Sequence, residues 1–359
     1  MFSQKKAFTL VELLVVIAII GLLATLSVIA LSNARAKSRD TKRMSDIKQV
    51  QTALELYFND QNRYPTVTEW NTGSIYSTSS EGTTTYMQVI PTAPTNSDGD
   101  YCPSDSSYHY ASDGDSYVLS TCLGNNAGSL GTGIVIANSA SVANCGDATA
   151  KDADGNIYNT VQIGTQCWLQ QNLNVGTMLT NGTTMPADNS IIEKWCYNNY
   201  EINPSPATVI CNNGQVCGGC NTNGGLYHWD EAMQYSETAG IQGICPIGWH
   251  IPTDAEQYTL ENYLTDAGQT CDPNRYIVWD CATAGTKLKL GGSSGFEALL
   301  AGYRNTDGTF YDQGYNAYFW SSIISGSNAW ARYLNSGLST VLRRDSSQAY
   351  GFTVRCLKD

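Results

Sequence analysis

The chain has 359 residues, enough for two domains and an extension. Charged residues make up 14%, below the roughly 25% of a typical soluble domain, and Gly, Tyr, Ser, Thr and Asn fill the gap. Residues 1–63 hold 9 Lys/Arg and 5 Asp/Glu, whereas 64–359 hold 11 and 27, so the acidic body is a poor candidate for binding nucleic-acid phosphates.

Residues 13–31 read LLVVIAIIGLLATLSVIAL, 19 residues without a charge. That is about the length needed to cross a roughly 30 Å hydrocarbon core as a helix. Lipid offers no partners to the backbone, so a helix is the expected form. The run is longer than a secretory h-region, and no A-x-A-like site closes it. Glu12 is the only ionisable side chain between Lys6 and Arg35. A carboxylate at the edge of such a run is costly and marks a functional position. Met44, Ile47, Val50, Leu54 and Tyr57/Phe58 continue at helical spacing on one face. No Pro or Gly falls within 22–63, and Tyr64-Pro65 predicts a helix end near 60–62.

KKAFTLVELLVVIAIIGLL resembles the class III signal of type IV pilins and type II secretion pseudopilins. The resemblance implies cleavage by a prepilin peptidase between Ala7 and Phe8, with N-methylation of Phe8. The family usually has Gly where this chain has Ala7. Glu12 then becomes the fifth mature residue and faces the Phe8 amine of a neighbouring subunit, an assembly role. Lys5 and Lys6 precede the span, while Arg35, Lys37, Arg39, Lys42 and Arg43 follow it. The positive-inside tendency taken alone favours the reverse orientation. The cysteines nevertheless call for the outer side: all 12 lie at or beyond Cys102, and an even set beyond a membrane-type segment reads as disulfides outside the cytoplasm. The basic run 35–43 reads as a solvated face, or as a counter-charge to acidic heads in a filament.

Between 64 and 144 there is no Lys or Arg. Strands are expected at 83–90, 107–111, 116–122 and 133–137, with SDGD (112–115) turning a hairpin. Cys102 and Cys122 flank that hairpin and form a candidate disulfide. The arrangement resembles the small sheet that covers the helix in pilins. NSDGD (96–100) is oxygen-rich, which makes Asp98 and Asp100 calcium candidates, although turns favour the same residues. No other cofactor is expected. GNNAGSLGTG (124–133) reads as a flexible loop.

A different style begins near Cys145, with seven of the eight Trp and ten of the twelve Cys beyond that point. IYNTVQIG and QCWLQQNL read as strands. PTDAEQYTLENYL reads as a helix with Thr253 and Glu256 as a capping box. His250, Asp254 and Glu256 are accordingly read as residues at a helix start, not as a catalytic trio. C-G-G-C at 217–220 lacks a redox or zinc context and reads as structural. Cys271 and Cys281 suit a local staple. Cys145, Cys167, Cys196, Cys211, Cys217 and Cys220 cannot be paired from sequence. With three His and no hydrolase, metalloprotease, P-loop or dinucleotide motif, no enzyme is expected.

The segments 152–177, 224–235, 243–264, 295–314, 319–322, 329–334 and 350–359 together resemble the Fibrobacter succinogenes major paralogous domain. That family implies a secreted or surface domain with a C-type-lectin-like look. By analogy, Cys245 joins Cys356, and Trp320, Trp330 and Arg332 in the closing strands are ligand-binding candidates, with Arg343 and Arg344 nearby. The expected fold is α+β: a leader (1–7), a long helix (8–62), a small antiparallel β head (63–144) and a disulfide-rich lectin-like domain (145–359). The expected function is a filament subunit, held first in the inner membrane and then extracellular, displaying the last domain for adhesion, for example to surface polysaccharide. Its partners are other pilins, the peptidase and the assembly platform. The alternatives are a tip pilin or secretion pseudopilin, and an anchored lectin that never polymerises.

Overall fold

The computed structural model describes residues 10–80, 82–95, 102, 107–197, 209–210 and 216–359. Helix α1 runs from Leu10 to Gln61 as 52 continuous residues, roughly 78 Å of rod. The absence of Pro and Gly beyond Gly21 permits that length. Met44, Ile47, Val50, Leu54 and Tyr57 are all buried, so the apolar stripe of the second half faces the head. Short helix α2 (Val67–Trp70) follows, with Thr66 and Glu69 in a capping box. Strands β1 (Ile75–Ser79) and β2 (Gly82–Met87) form a hairpin against α1.

Strands β3 (His109–Ser112), β4 (Tyr117–Leu123), β5 (Gly133–Ala137) and β6 (Val142–Asn144) make an antiparallel sheet in sequential order. The β3–β4 turn works as its residue types require. Gly114 takes φ +95°, and the Asp113 carboxylate accepts from the backbone N–H of Asp115 and Ser116. Leu119 and Ala137 pack with Leu54 and Tyr57 to close the core under the helix. Segment 124–133 departs from the flexible loop expected. The Asn125 N–H and its side-chain amide both donate to Asp40 of α1, at 2.8 and 3.2 Å, which pins the loop to the helix.

The remainder is built from β7 (Thr149–Lys151), β8 (Ile157–Ile163), β9 (Gln166–Leu169), β10 (Thr177–Met178), β11 (Glu193–Lys194), β12 (Val209–Ile210), β13 (Val216–Cys217), α3 (Cys220–Asn223), α4 (Trp229–Ala232) and β14 (Trp249–His250). Then come α5 (Asp254–Leu264), β15 (Val278–Asp280), α6 (Ala284–Leu288), β16 (Ala301–Arg304), β17 (Phe310–Gln313), β18 (Asn316–Ser325), β19 (Asn328–Asn335), β20 (Val341–Ser347) and β21 (Leu357–Lys358). One sheet has the order β14-β21-β9-β8-β7, and a second has β15-β20-β19-β18. Leu357 pairs with Trp168, so the last strand closes against the first part of the unit. The class is α+β with a long amino-terminal helix.

Five disulfides join described cysteines: Cys102–Cys122, Cys145–Cys167, Cys196–Cys220, Cys245–Cys356 and Cys271–Cys281. The Cys145–Cys167 bridge links the end of the β head to β9. The two parts also share one core, in which Cys102, Cys122, Ile134 and Ile136 pack with Leu169, Trp249 and Trp320. Cys220 of C-G-G-C bonds to Cys196 and not to its motif partner. Cys211 lies outside the described residues.

Candidate functional site

The chain's most unusual surface is the first half of α1. From Leu10 through Ser32 every residue is exposed, including Leu22 at 61% and Val28 at 67%. Soluble proteins rarely leave apolar patches beyond a few hundred Å2, so a rod of this kind marks a membrane or protein contact. It is the one helix among the described residues long and apolar enough to cross a membrane. Glu12 lies in its first turn, where the helix dipole favours a carboxylate. Ala7 and Phe8 lie outside the described residues.

The rod meets the head at a buried ion pair. Asp40 and Arg43 are both fully buried, 2.6 Å apart, and Arg43 also donates to the Pro94 carbonyl at 3.0 Å. One turn on, Lys42 pairs with Asp46 at 2.6 Å. The basic run is therefore only partly a solvated face: Arg35, Lys37 and Lys42 are exposed, whereas Arg43 is internal.

The ligand candidates of the closing strands need correction. Trp320 is wholly buried, and its indole N–H donates to the Tyr227 carbonyl at 2.8 Å. Arg332 is 4% exposed and is spent on Glu261 at 2.5 Å and Asp254 at 2.6 Å. Trp320 on β18 packs into the core with Tyr227 and Phe352, and Arg332 on β19 is held by carboxylates of α5, so neither offers a surface to a ligand. Trp330 is half-buried, with the Arg343 guanidinium 3.5 Å above its ring and Tyr276 at its edge. Asp98 and Asp100 lie outside the described residues.

The acid and base groups around α5 hold structure together. The Thr253–Glu256 capping box is present. His250 lies 2.7 Å from Asp359 and 3.1 Å from Glu256. Burial opposes its charge, but the two carboxylates prevail and raise His250 to about 9. Burial likewise works against the Asp254 carboxylate, yet Arg343 and Arg332 hold it below its usual value. Glu261 is 1% exposed and bridges Arg332 and Arg275. Glu261 also lies beside Cys271 and Cys281 in a geometry that suits a metal. Those two sulfurs are joined to each other, so they offer no thiolate ligands. Glu261, Arg275 and Arg355 escaped the sequence reading, and only for Arg355 was there a signal, a charge set inside an apolar segment. Arg355 sits in FTVRCL and donates to Asn172, Leu169, Gln170 and Phe296 in the interior.

Comparison with known proteins bears on both ends. Residues 161–358 match the Fibrobacter succinogenes major domain. The chain belongs to that family. Residues 2–28 match the prokaryotic N-terminal methylation motif. The type II secretion system core protein G of Aeromonas hydrophila is 44% identical over 63 residues, 18% of this chain and 44% of that protein. The same protein of Escherichia coli is 41% identical over 67 residues, 19% of this chain and 46% of the relative. The type IV major pilin protein PilA of Myxococcus xanthus is 33% identical over 61 residues, 17% and 28% of the two chains. In each case the chain spans less than half of the relative's length. No solved structure matches. The chain is thus a pilin-like protein fused to a Fibrobacter succinogenes major domain, and the family match begins within β8.

Proposed function

We propose that the chain is a structural subunit of a type IV pilus-like surface filament, and that its last domain is displayed outward for adhesion. The observation that carries this reading is the rod from Leu10 through Ser32, apolar on every side and exposed on every side, projecting from a folded head. Water is a poor final environment for such a rod, and lipid before assembly and neighbouring rods after it both remove the apolar surface, at about 25 cal/mol per Å2. Cleavage after Ala7 creates a charged amine on Phe8, and Glu12 of a neighbour neutralises it. An unpaired amine in an apolar filament core costs several kcal/mol, so the pair sets register. The displayed domain has no catalytic role in this reading. A lectin-like architecture is consistent with the pairing of its last strand with its first part, and no cofactor enters the mechanism.

A second reading is a secretion pseudopilin, because core protein G shares the amino-terminal region of this chain as type IV pilins do. Mass spectrometry of filaments sheared from intact cells separates the two. Abundant chain beginning at N-methyl-Phe8 is the expected result for a shaft pilin. The same terminus at trace level supports a tip or pseudopilin role. An intact Met1 found only in membranes overturns assembly and leaves an anchored surface protein.

A further inference from the structure

The orientation required by the disulfides places five cations beyond the apolar rod, against two before it, which the positive-inside tendency disfavours. The structure divides these five. Arg43 is neutralised by Asp40 in the interior, and Lys42 is matched by Asp46. Arg39 is half-buried. Arg35 and Lys37 remain exposed, and among the described residues neither forms an ion pair.

Their position is set by helix geometry. The apolar run ends at Leu31, so at about 1.5 Å per residue Arg35 and Lys37 lie roughly 6 and 9 Å beyond it. The polar zone of a bilayer extends about 5–8 Å past the hydrocarbon on each side. Side chains as long as these reach back across the difference. They differ by two positions, close to opposite sides of the helix, an arrangement that suits a surface surrounding the rod better than a partner on one face. The acidic body is repelled by an anionic membrane, so these two cations are the nearest exposed attractive ground.

We infer that Arg35 and Lys37 form a collar that docks on anionic phospholipid headgroups at the outer face of the membrane, holding the unassembled subunit at fixed depth. The inference rests on the membrane residence proposed above. Leaving the membrane for a filament then requires breaking these contacts, so anionic lipid content opposes extraction.

The test uses the full chain. Flotation with vesicles of phosphatidylcholine alone reports residence. Native mass spectrometry of the chain released from micelles containing equal phosphatidylglycerol and phosphatidylcholine reports preference. Wild type is expected to retain phosphatidylglycerol selectively. R35Q/K37Q is expected to float equally and melt equally, and to lose roughly 25-fold in that selectivity, about five-fold per cation. Equal retention of both lipids by a chain that floats overturns the collar and leaves residence intact, as does selectivity that survives in the double variant. A chain that does not float overturns both. Self-association at low salt that disappears in R35Q/K37Q, with no lipid selectivity, assigns the collar to the acidic body of a second copy and overturns the lipid assignment.

Discussion

In the first half of α1, Leu22 and Leu26 stand in the open at 61% and 55% exposure, whereas in the second half Leu54 and Val50 are at 0% and 1%. The backbone does not change between them; it is one hydrogen-bonded rod. The difference lies in the side chains. The first half is apolar around its whole circumference, which no single sheet can cover. The second half is apolar on one face, which β1, β2 and β4 cover completely. The comparison teaches that one helix can carry two instructions: fold within the chain, and associate beyond it. The buried Asp40–Arg43 pair stands where one gives way to the other.

That boundary gives the largest expected effect. Asp40→Ala leaves Arg43 buried without its carboxylate and frees Asn125, at a cost of about 3–5 kcal/mol, read as a lowered melting midpoint of the full chain in detergent. Glu12→Ala, by contrast, leaves the midpoint unchanged and reduces filament yield. Leu54→Ala is expected to cost about 2–5 kcal/mol through the cavity it opens under the sheet. Leu22→Ala should leave the midpoint within about 0.5 kcal/mol, because its side chain is largely exposed and fills no buried core. A comparable loss at Leu22 and Leu54 in chemical denaturation would break the contrast between the halves.

The pH dependence sharpens the picture for the other region. His250 is raised from 6.5 to about 9 in the folded chain, so its stabilising effect is complete below about pH 6.5 and is lost as pH rises through about 9. The loss is at most about 3 kcal/mol, and His250→Gln should flatten that alkaline slope in melts taken from pH 6 to 10. A modest loss is expected at a cap. Thr66→Ala removes the capping box of α2 and should cost about 1 kcal/mol, a small shift in midpoint.

Much of this organisation was legible in advance. Periodicity placed α1 and its buried stripe, and Tyr64-Pro65 placed its end to within a residue or so. The turn chemistry of SDGD placed the β3–β4 hairpin, and Thr253 with Glu256 placed the start of α5. The ligand candidates were not legible. Trp320 and Arg332 look like exposed recognition residues in a list, but Trp320 is packed against Tyr227 and Phe352, and Arg332 is held by the carboxylates of α5. The tie between Asn125 and Asp40 was also hidden, because a Gly- and Asn-rich segment is polar whether it floats or caps a buried carboxylate.

The residue pattern by itself determined the local elements and the membrane-like character of the rod, because both depend on spacing along one chain. It determined the acidic body, because that is a matter of composition. Only the tertiary structure decided which cysteines meet in Cys145–Cys167 and Cys196–Cys220, which cations are spent on Asp40 and Asp46, and that the head and the last domain share one core. Those outcomes depend on contacts between residues far apart in the chain, and periodicity carries no information about which distant surfaces will touch.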